Sequence, residues 1–288
     1  MSGERPLPAG VRARVLDAAR EARTPGAAVP AVERIAATEA LRRAADALDA
    51  LLRSLDEADW GVPVLRDLDV QGLVGHLIGV EHDTLRALGG DPAVGGADHV
   101  ASTQGDAVRQ AGRPPERTRD EWRSLVDVTL VAAGGLRGSG VLLALHGMQL
   151  PVDDLLVVRA FELWTHENDI RAALRLPASV PDAPTLALMT RLAVQLLPHG
   201  AVRAASLPGP VDLHLVLLGG GGGTWDVPLQ PGLGTGASAD DVVVVVDAVD
   251  FCRLVANRID AAVLDVHVVG ERTATDGVLA AAAALALD

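Results

Sequence analysis

The sequence RAFELWTHENDIR, residues 159–171, carries the most structural information in this chain. It lies in the segment Asp153–Leu174, which is predicted to be a helix because aspartates suit its start and a proline follows its last apolar turn. Glu162 and His166 are four residues apart and therefore share one helix face, and Asp169 falls on the same stripe. Apolar stripes flank these polar residues on both sides.

A carboxylate and an imidazole placed between apolar stripes are expected to be partly buried. Burying a carboxylate is costly unless its charge is compensated, and a bound metal ion would compensate it. Asp169 would then orient a histidine ligand from behind. A bundle whose polar residues satisfy one another is the alternative interpretation, and spacing alone does not separate the two.

A third ligand is predicted in the segment Val70–Leu88, VQGLVGHLIGVEHDTLRAL. His76 lies there, with Gly72 and Gly79 about one turn to either side. Glycines weaken a helix, and close approach of another helix would explain their presence. A set of two imidazoles and one carboxylate with an open fourth position suits catalytic zinc, although other divalent metals also fit. The candidate metal ligands are therefore His76, Glu162 and His166.

These motifs resemble those of the DinB-like, mycothiol-dependent maleylpyruvate isomerase family. The segment Trp60–Glu81, WGVPVLRDLDVQGLVGHLIGVE, resembles a family motif in which a connection leads into a helix with a histidine before a Leu-Ile pair. RAFELWTHENDIRAAL resembles the second motif, an Arg-x-x-Glu-x-x-x-His-x-x-Asp helix. The resemblance covers about residues 31–288. It places the family's metal ligands on His76, Glu162 and His166.

The resemblance implies an α+β fold, with an N-terminal DinB-like four-helix bundle and a smaller C-terminal α/β, sterol-carrier-like domain. The sequence itself indicates four long helices that build a site from inward-facing side chains. After Pro177–Pro184 the pattern changes to mixed strands and helices. We therefore expect a leader at residues 1–30, the metal-binding bundle at 31–178 and the α/β domain at 184–288.

The composition argues against several classes of protein. The formal net charge is −13, and the 25 basic residues, all arginines, form no cluster, so no nucleic-acid partner is expected. The single cysteine, Cys252, excludes an internal disulfide and predicts a cytoplasmic location. The N-terminus lacks the apolar core of a signal peptide, and the longest apolar run, Val278–Leu287, is too short to span a bilayer. No membrane partner is therefore expected.

Several other side chains are considered for the site. Arg258, which resembles a position where the family has an arginine, is predicted with Asp169 to be catalytic. It would receive a substrate carboxylate, or it would neutralise a helix C-terminus. His146, in LLALHGMQL, either lines the metal pocket or is structural, and Asp83 either supports a ligand or is solvated. Cys252 lies in an apolar helical segment without a neighbouring base, which favours a buried structural thiol.

Three functions follow from this pattern. The first is an enzyme in which metal coordination turns an external low-molecular-weight thiol into a thiolate, which then attacks a small electrophile. The resemblance implies that this thiol is mycothiol, a carboxylated substrate is expected, and the outcome would be isomerisation or S-transfer. The second is a binding or regulatory module with a structural metal, and the third is a hydrolase that uses metal-bound water.

Overall fold

The computed structural model describes residues 32–96, 98–136, 139–205, 207–230 and 240–287. The predicted leader, residues 1–30, lies outside these ranges. The segment Glu33–Asp288 forms one compact unit.

Five helices build the N-terminal half of this unit. They are α1 (Ala37–Ser54), α2 (Val70–Leu88), α3 (His99–Gln110), α4 (Pro115–Gly134) and α5 (Val152–Ala173). The four long helices pack as α1 against α5 and α4, and α2 against α4, while the shorter α3 lies along α2. This arrangement confirms the predicted four-helix bundle.

Helix α1 begins later than the sequence pattern predicted. The amphipathic pattern of the sequence predicts a helix over Ala31–Leu55, but residues 32–36 are not helical and the first turn begins at Ala37. The reason is burial: Val32 is exposed, whereas Ala37 and Ala40 enter the core. A helix is stabilised chiefly by packing of its apolar face, and among the described residues before Ala37 only Ile35 packs against the core.

Two short hairpins that were not predicted lead into the helices of the site. The strands β1 (Pro63–Leu65) and β2 (Leu68–Asp69) precede α2, and β3 (Leu142–Leu145) and β4 (Met148–Pro151) precede α5. Asp69 ends the first hairpin and caps α2, because its carboxylate accepts a hydrogen bond of 2.7 Å from the backbone N–H of Gly72. The hairpins therefore fix where the two ligand-bearing helices begin.

The C-terminal part combines three helices with a four-stranded sheet. Its elements are α6 (Ala183–Ala204), β5 (Val211–Leu218), β6 (Gly223–Leu229), β7 (Asp240–Asp247), α7 (Ala248–Val255), β8 (Val266–Val269) and α8 (Arg272–Ala283). The strand order is β6-β5-β7-β8, with β5 and β7 parallel and the two outer pairs antiparallel.

One face of this sheet is covered by helices. Alternate residues of β5 and β7 are buried, as expected for strands with one core face, and α6, α7 and α8 pack against the sheet or each other. Helices α6 and α8 approach so closely that a Cβ atom on Gly200 would lie 2.2 Å from the carbonyl oxygen of Ala281.

The last helix is shorter than the sequence pattern predicts. The apolar pattern predicts a helix that extends to Leu287, but α8 ends at Ala283. Ala286 has a positive φ of 44°, which no residue of a right-handed helix adopts.

The α+β fold class predicted from the sequence is confirmed. The helices of the bundle all precede Leu174, and the four-stranded sheet lies entirely after Pro210. The proposed domain boundary at residues 178–184 stays a prediction. Among the described residues, no helix combines the length and apolar character needed to cross a membrane.

Candidate metal centre

Helix α5 presents four polar side chains along one face. Arg159, Glu162 and His166 each expose 3 % of their surface or less, and Asp169 is partly buried. Their spacing of three, four and three residues places them on one stripe of the helix. Buried polar groups are unfavourable unless each has a partner. The partners of these side chains therefore indicate what the stripe can do.

Helix α2 brings His76 to the same place, and a glycine makes this possible. A Cβ atom on Gly79 would lie 2.9 Å from Cα of Thr103 on α3, so the two helices touch where Gly79 has no side chain. The predicted close approach is thus confirmed at Gly79. It is wrong at Gly72, whose nearest neighbours belong to the two residues just before α2.

The three predicted metal ligands converge in the fold. One ligand atom from each of His76, Glu162 and His166 lies within 4.8 Å of the other two. His76 Nε2 is 3.6 Å from Glu162 Oε1. The imidazole rings of His76 and His166 are nearly perpendicular, with centroids 5.6 Å apart. Glu162 Oε1 and His166 Nε2 are buried and form no hydrogen bond with any described residue. Two neighbouring buried acceptor atoms that have no hydrogen-bond donor among the described residues are what a cation-binding site requires.

Hydrogen bonds fix the protons on both candidate histidine ligands. His166 donates from Nδ1 to Asp169 at 3.0 Å, which leaves the lone pair of its Nε2 facing the site. Thr103 gives its hydroxyl proton to the carbonyl of His99 at 2.9 Å, so its oxygen accepts from His76 Nδ1 at 2.7 Å. Metal-binding histidines in proteins are commonly held in this way by a partner on the other ring nitrogen.

The buried charges of the site do not balance by themselves. Arg159 donates to Glu81 at 2.7 Å and also to Glu162 Oε2, and Thr129 donates to the second oxygen of Glu81 at 2.7 Å. One guanidinium therefore serves two buried carboxylates. Arg159 also holds the carboxylate of Glu162 so that Oε1 faces the histidines. A divalent cation at Oε1 would compensate the remaining negative charge.

Two histidines that the sequence did not single out as ligands extend the cluster. His99, the first residue of α3, places Nε2 3.2 Å from His76 Nε2 and 3.7 Å from Glu162 Oε1. His146 places Nδ1 3.0 Å from His99 Nδ1 and Nε2 2.8 Å from Asp83. His146 therefore lies beside the site, which decides between the two interpretations given for it, and Asp83 supports His146 rather than facing solvent alone.

One sequence signal could have located His146. It forms a two-residue turn with Gly147 between β3 and β4, with φ values of 48° and 80°. Such hairpin turns need positive φ at both positions, and histidine is one of the residues that adopts it more often than most. Backbone hydrogen bonds from His146 and Gly147 to Val94 and Gly95 then pin the hairpin beside the segment that leads to His99. No comparable signal marks His99.

The outer histidines are neutral at physiological pH. Burial, together with the proximity of His76 and His146, lowers the pKa of His99 to about 2. Burial also lowers the pKa of His146, although the carboxylate of Asp83 opposes that shift. For Asp83, burial alone would raise the pKa, but hydrogen bonds from His146 and Ser102 outweigh burial and keep the pKa low. Asp83 is therefore ionised beside neutral rings.

Arg258 lies on the Asp169 side of His166, away from the ligand atoms that converge. Its Nε and Nη2 donate to the two oxygens of Asp169 at 2.8 and 2.9 Å, and its Nη1 donates to the carbonyl of Ala256. Burial would raise the pKa of Asp169, but hydrogen bonds from His166 and Arg258 outweigh burial and lower it. The carboxylate that Arg258 receives in this structure is thus that of Asp169, which in turn holds His166.

A cleft of about 220 Å³ opens onto Glu162, one of the three candidate ligands. Glu162, His99 and His146 line its polar side, and Arg203 of α6 lies along the same cleft. Apolar residues complete the lining: Val80, Leu145, Met148, Val158, Leu285 and Leu287. Arg203 is exposed and forms no ion pair with any described residue. The cleft, which Arg159 also lines, therefore combines an apolar wall, the carboxylate of Glu162 and one cation, Arg203, that forms no ion pair with the described residues.

Cys252 does not have the properties of a reactive thiol. The residue is fully buried in α7, and burial raises the pKa of its thiol. The interpretation as a buried structural thiol fits these observations. The site must therefore obtain any reactive thiol from outside the chain.

Comparison with known proteins agrees with this fold. Residues 41–171 match the family model described as the mycothiol maleylpyruvate isomerase N-terminal domain. The crystal structure of the mycothiol-dependent maleylpyruvate isomerase superposes with a TM-score of 0.55 at 15 % identity, covering 78 % of this chain and 89 % of that one. A histidine-to-alanine mutant of that enzyme superposes with a TM-score of 0.54 at 14 % identity, covering 77 % and 88 %. No curated protein matches this sequence.

The bundle and its polar stripe thus define a helical domain of the DinB-like class joined to a small α/β part. The helical part of this chain matches the model of the mycothiol maleylpyruvate isomerase N-terminal domain family over residues 41–171. The recognition made from the paired sequence motifs is confirmed. The same match supports the prediction of an enzyme.

Proposed function

We propose that this chain is a metal-dependent enzyme that uses an external thiol, mycothiol, to isomerise or S-conjugate a small carboxylated electrophile. The observation that carries the proposal is the convergence of the buried ligand atoms of His76, Glu162 and His166 within 4.8 Å, with Glu162 lining an open cleft. The family match and the names of the fold neighbours support mycothiol as the thiol and maleylpyruvate as the substrate to test first.

The proposed metal is zinc, held by His76 Nε2, Glu162 Oε1 and His166 Nε2. Two neutral imidazoles and one carboxylate form a ligand set that zinc enzymes use, and the two orphaned acceptors fit such an ion. When bound, the ion would lower the pKa of a coordinated thiol and so supply thiolate at neutral pH.

The residues of the cleft would then position the electrophile. The apolar wall around Leu145 and Leu287 excludes water from the reacting carbon, while Arg203 offers a cation to a substrate carboxylate. Asp169, held by Arg258, keeps the His166 ring oriented with its Nδ1 proton directed away from the site. In this proposal Arg258 and Asp169 contribute to catalysis by positioning, and a direct contact of Arg258 with substrate stays a prediction.

The reaction is balanced without any oxidant or protein nucleophile. The thiolate adds to one carbon of a conjugated alkene, which converts the double bond into a single bond about which the product can rotate. Expulsion of the same thiolate restores the double bond in the other geometry, so isomerisation regenerates the thiol. Retention of the new C–S bond with protonation of the neighbouring carbon gives the S-conjugate instead.

Activity measured with and without the thiol tests this proposal. Zinc-loaded protein should isomerise maleylpyruvate only when mycothiol is present, and His166→Ala should abolish turnover while His214→Ala, on the exposed face of β5, should not. Turnover of an ester or amide without any thiol would favour the hydrolase. Absence of both activities in metal-loaded protein would favour the binding module. The predicted cytoplasmic location and the absence of a nucleic-acid partner stay predictions.

A further inference from the structure

The proton positions around His99 can be assigned from the Asp83 end of the histidine chain. His146 donates from Nε2 to the carboxylate of Asp83 at 2.8 Å and therefore keeps a lone pair on Nδ1. That nitrogen lies 3.0 Å from His99 Nδ1, which must carry the proton between them. In this tautomer the lone pair of His99 lies on Nε2, the nitrogen that faces His76.

The proton positions can also be assigned from Thr103, on the other side of the cluster, and this assignment ends at the contact between His76 and His99. Thr103 donates its only proton to a backbone carbonyl, so His76 carries its proton on Nδ1 and a lone pair on Nε2. His76 Nε2 and His99 Nε2 face each other at 3.2 Å. Two lone pairs at hydrogen-bond distance with no proton between them repel, and Glu162 Oε1 adds a third electron-rich atom 3.6 and 3.7 Å away. A cation shared by all three atoms would turn this repulsion into attraction.

The three distances match the geometry of one metal ion. With metal–ligand bonds of about 2.0–2.1 Å and tetrahedral angles, two ligand atoms lie about 3.3 Å apart. The observed separations among His76, His99 and Glu162 are 3.2, 3.6 and 3.7 Å. His99 thus lies as close to His76 as two ligands of one ion should and slightly farther from Glu162. Its side chain, 26 % exposed, forms the solvent side of the cluster.

We propose that His99 is a fourth protein ligand of the metal, occupying the position that a three-residue site would leave open to the thiol. This inference rests on the proposed metal site and deepens it: a thiol would enter by displacing His99 toward the cleft. The site would then be closed in the resting protein and opened by its cosubstrate. Water would be kept from the ion until the thiol arrives.

X-ray absorption spectroscopy of the zinc-loaded full chain tests the inference directly. We expect three imidazole ligands per zinc in the wild type and two in His99→Ala, with zinc affinity lowered at least about tenfold in a chelator competition. His82→Ala is the matched control, because His82 lies on the same helix as His76 but pairs with Asp106. Two imidazoles in both the wild type and His99→Ala would overturn the inference while leaving the three-ligand site intact. Failure of the wild type to bind zinc would overturn the metal site itself.

A gain-of-signal variant keeps the inference testable if His99→Ala folds poorly. In cobalt-loaded His99→Cys, a thiolate in the ligand position should produce the intense near-ultraviolet charge-transfer absorption of a cobalt–sulfur bond. The wild type should show no such band, because Cys252 is buried in α7. Absence of the band from a folded, cobalt-loaded His99→Cys protein would contradict ligation at this position. With added 2-mercaptoethanol, the band should appear at lower thiol concentration in His99→Ala than in the wild type, and equal concentrations would count against displacement.

Discussion

Arg258 donates two hydrogen bonds to the carboxylate of Asp169, although the two residues are 89 positions apart in the chain. Asp169 in turn anchors the ring of His166, because it accepts a hydrogen bond of 3.0 Å from His166 Nδ1. The small α/β part of the chain thereby takes part in orienting a candidate ligand that lies in the helical bundle. This relationship explains why the polar stripe of α5 extends one turn beyond its two candidate ligands.

Asp169→Asn tests this anchoring. The amide keeps the shape of the side chain but loses the charge that pairs with Arg258 and holds the His166 proton. We expect zinc affinity to fall about 10- to 100-fold, as is typical when the partner of a ligand histidine is changed. Chelator competition measures the affinity, with the exposed Asp226→Asn as control. Equal zinc affinity in Asp169→Asn and wild type would show that Asp169 does not support the ligand.

Arg203→Ala and Arg258→Ala should affect catalysis in different ways. Arg203 lies along the cleft without an ion pair to any described residue, so its loss should raise KM for a carboxylated substrate about tenfold or more, because hydrogen bonds to charged groups contribute about 1.5–3 kcal/mol. Arg258→Ala should lower kcat and zinc affinity instead. Arg191→Ala, exposed on the same helix as Arg203, is the control. A KM increase confined to Arg258→Ala would reverse this assignment of the two arginines.

Cys252→Ala should leave thiol-dependent turnover in place. The thiol is buried and its pKa is raised, so it cannot supply a thiolate to the cleft. A thiol-specific reagent should react with the native wild type only as fast as the protein unfolds, and in denaturant it should modify one thiol per chain. Loss of turnover in a Cys252→Ala protein with normal stability would contradict an external nucleophile.

Asp182 should contribute to stability in a pH-dependent manner. It caps α6 through Thr185 and pairs with Arg43 of α1 at 2.6 Å. Burial would raise the pKa of Asp182, but these partners outweigh burial and lower the pKa from its usual 3.8. Since the folded-state pKa is the lower one, the contribution is present above pH 3.8 and is lost as the pH falls through the folded-state value.

Urea denaturation measures this effect. At pH 7, Asp182→Ala should lose about 0.5–2 kcal/mol of unfolding free energy, the usual loss for a helix cap, and Asp182→Asn should lose less because asparagine also caps helices. The difference between wild type and Asp182→Asn should shrink toward acid pH. A difference that grows as the pH falls below 3.8 would contradict the assigned sign.

The two ligand-bearing helices could be predicted because their information is local. The four-residue spacing of Glu162 and His166 fixes their common face, and α2 has the bounds expected from the sequence, Val70–Leu88. Gly79, about one helical turn after His76, also predicted the approach of a neighbouring helix. These features depend only on helix periodicity and side-chain size.

The remainder of the site depends on tertiary structure. His99 joins the cluster only because α3 crosses α2 at Thr103, and Arg203 reaches the cleft only because α6 and the C-terminal residues pack onto the bundle. Neither arrangement has a periodic pattern in the sequence. Arg258 was expected to receive a substrate carboxylate, and the sequence could not indicate its pairing with the carboxylate of Asp169.

The central claim is that His76, Glu162 and His166 bind one metal ion, and metal content measured by mass spectrometry tests it most directly. Purified wild type should carry about one zinc per chain, as expected for a mixed nitrogen and oxygen site of this kind. Each of His76→Ala, Glu162→Ala and His166→Ala should lose the metal while keeping the helical signal in circular dichroism, and His82→Ala should retain it. Full zinc occupancy in all three folded variants would contradict the account.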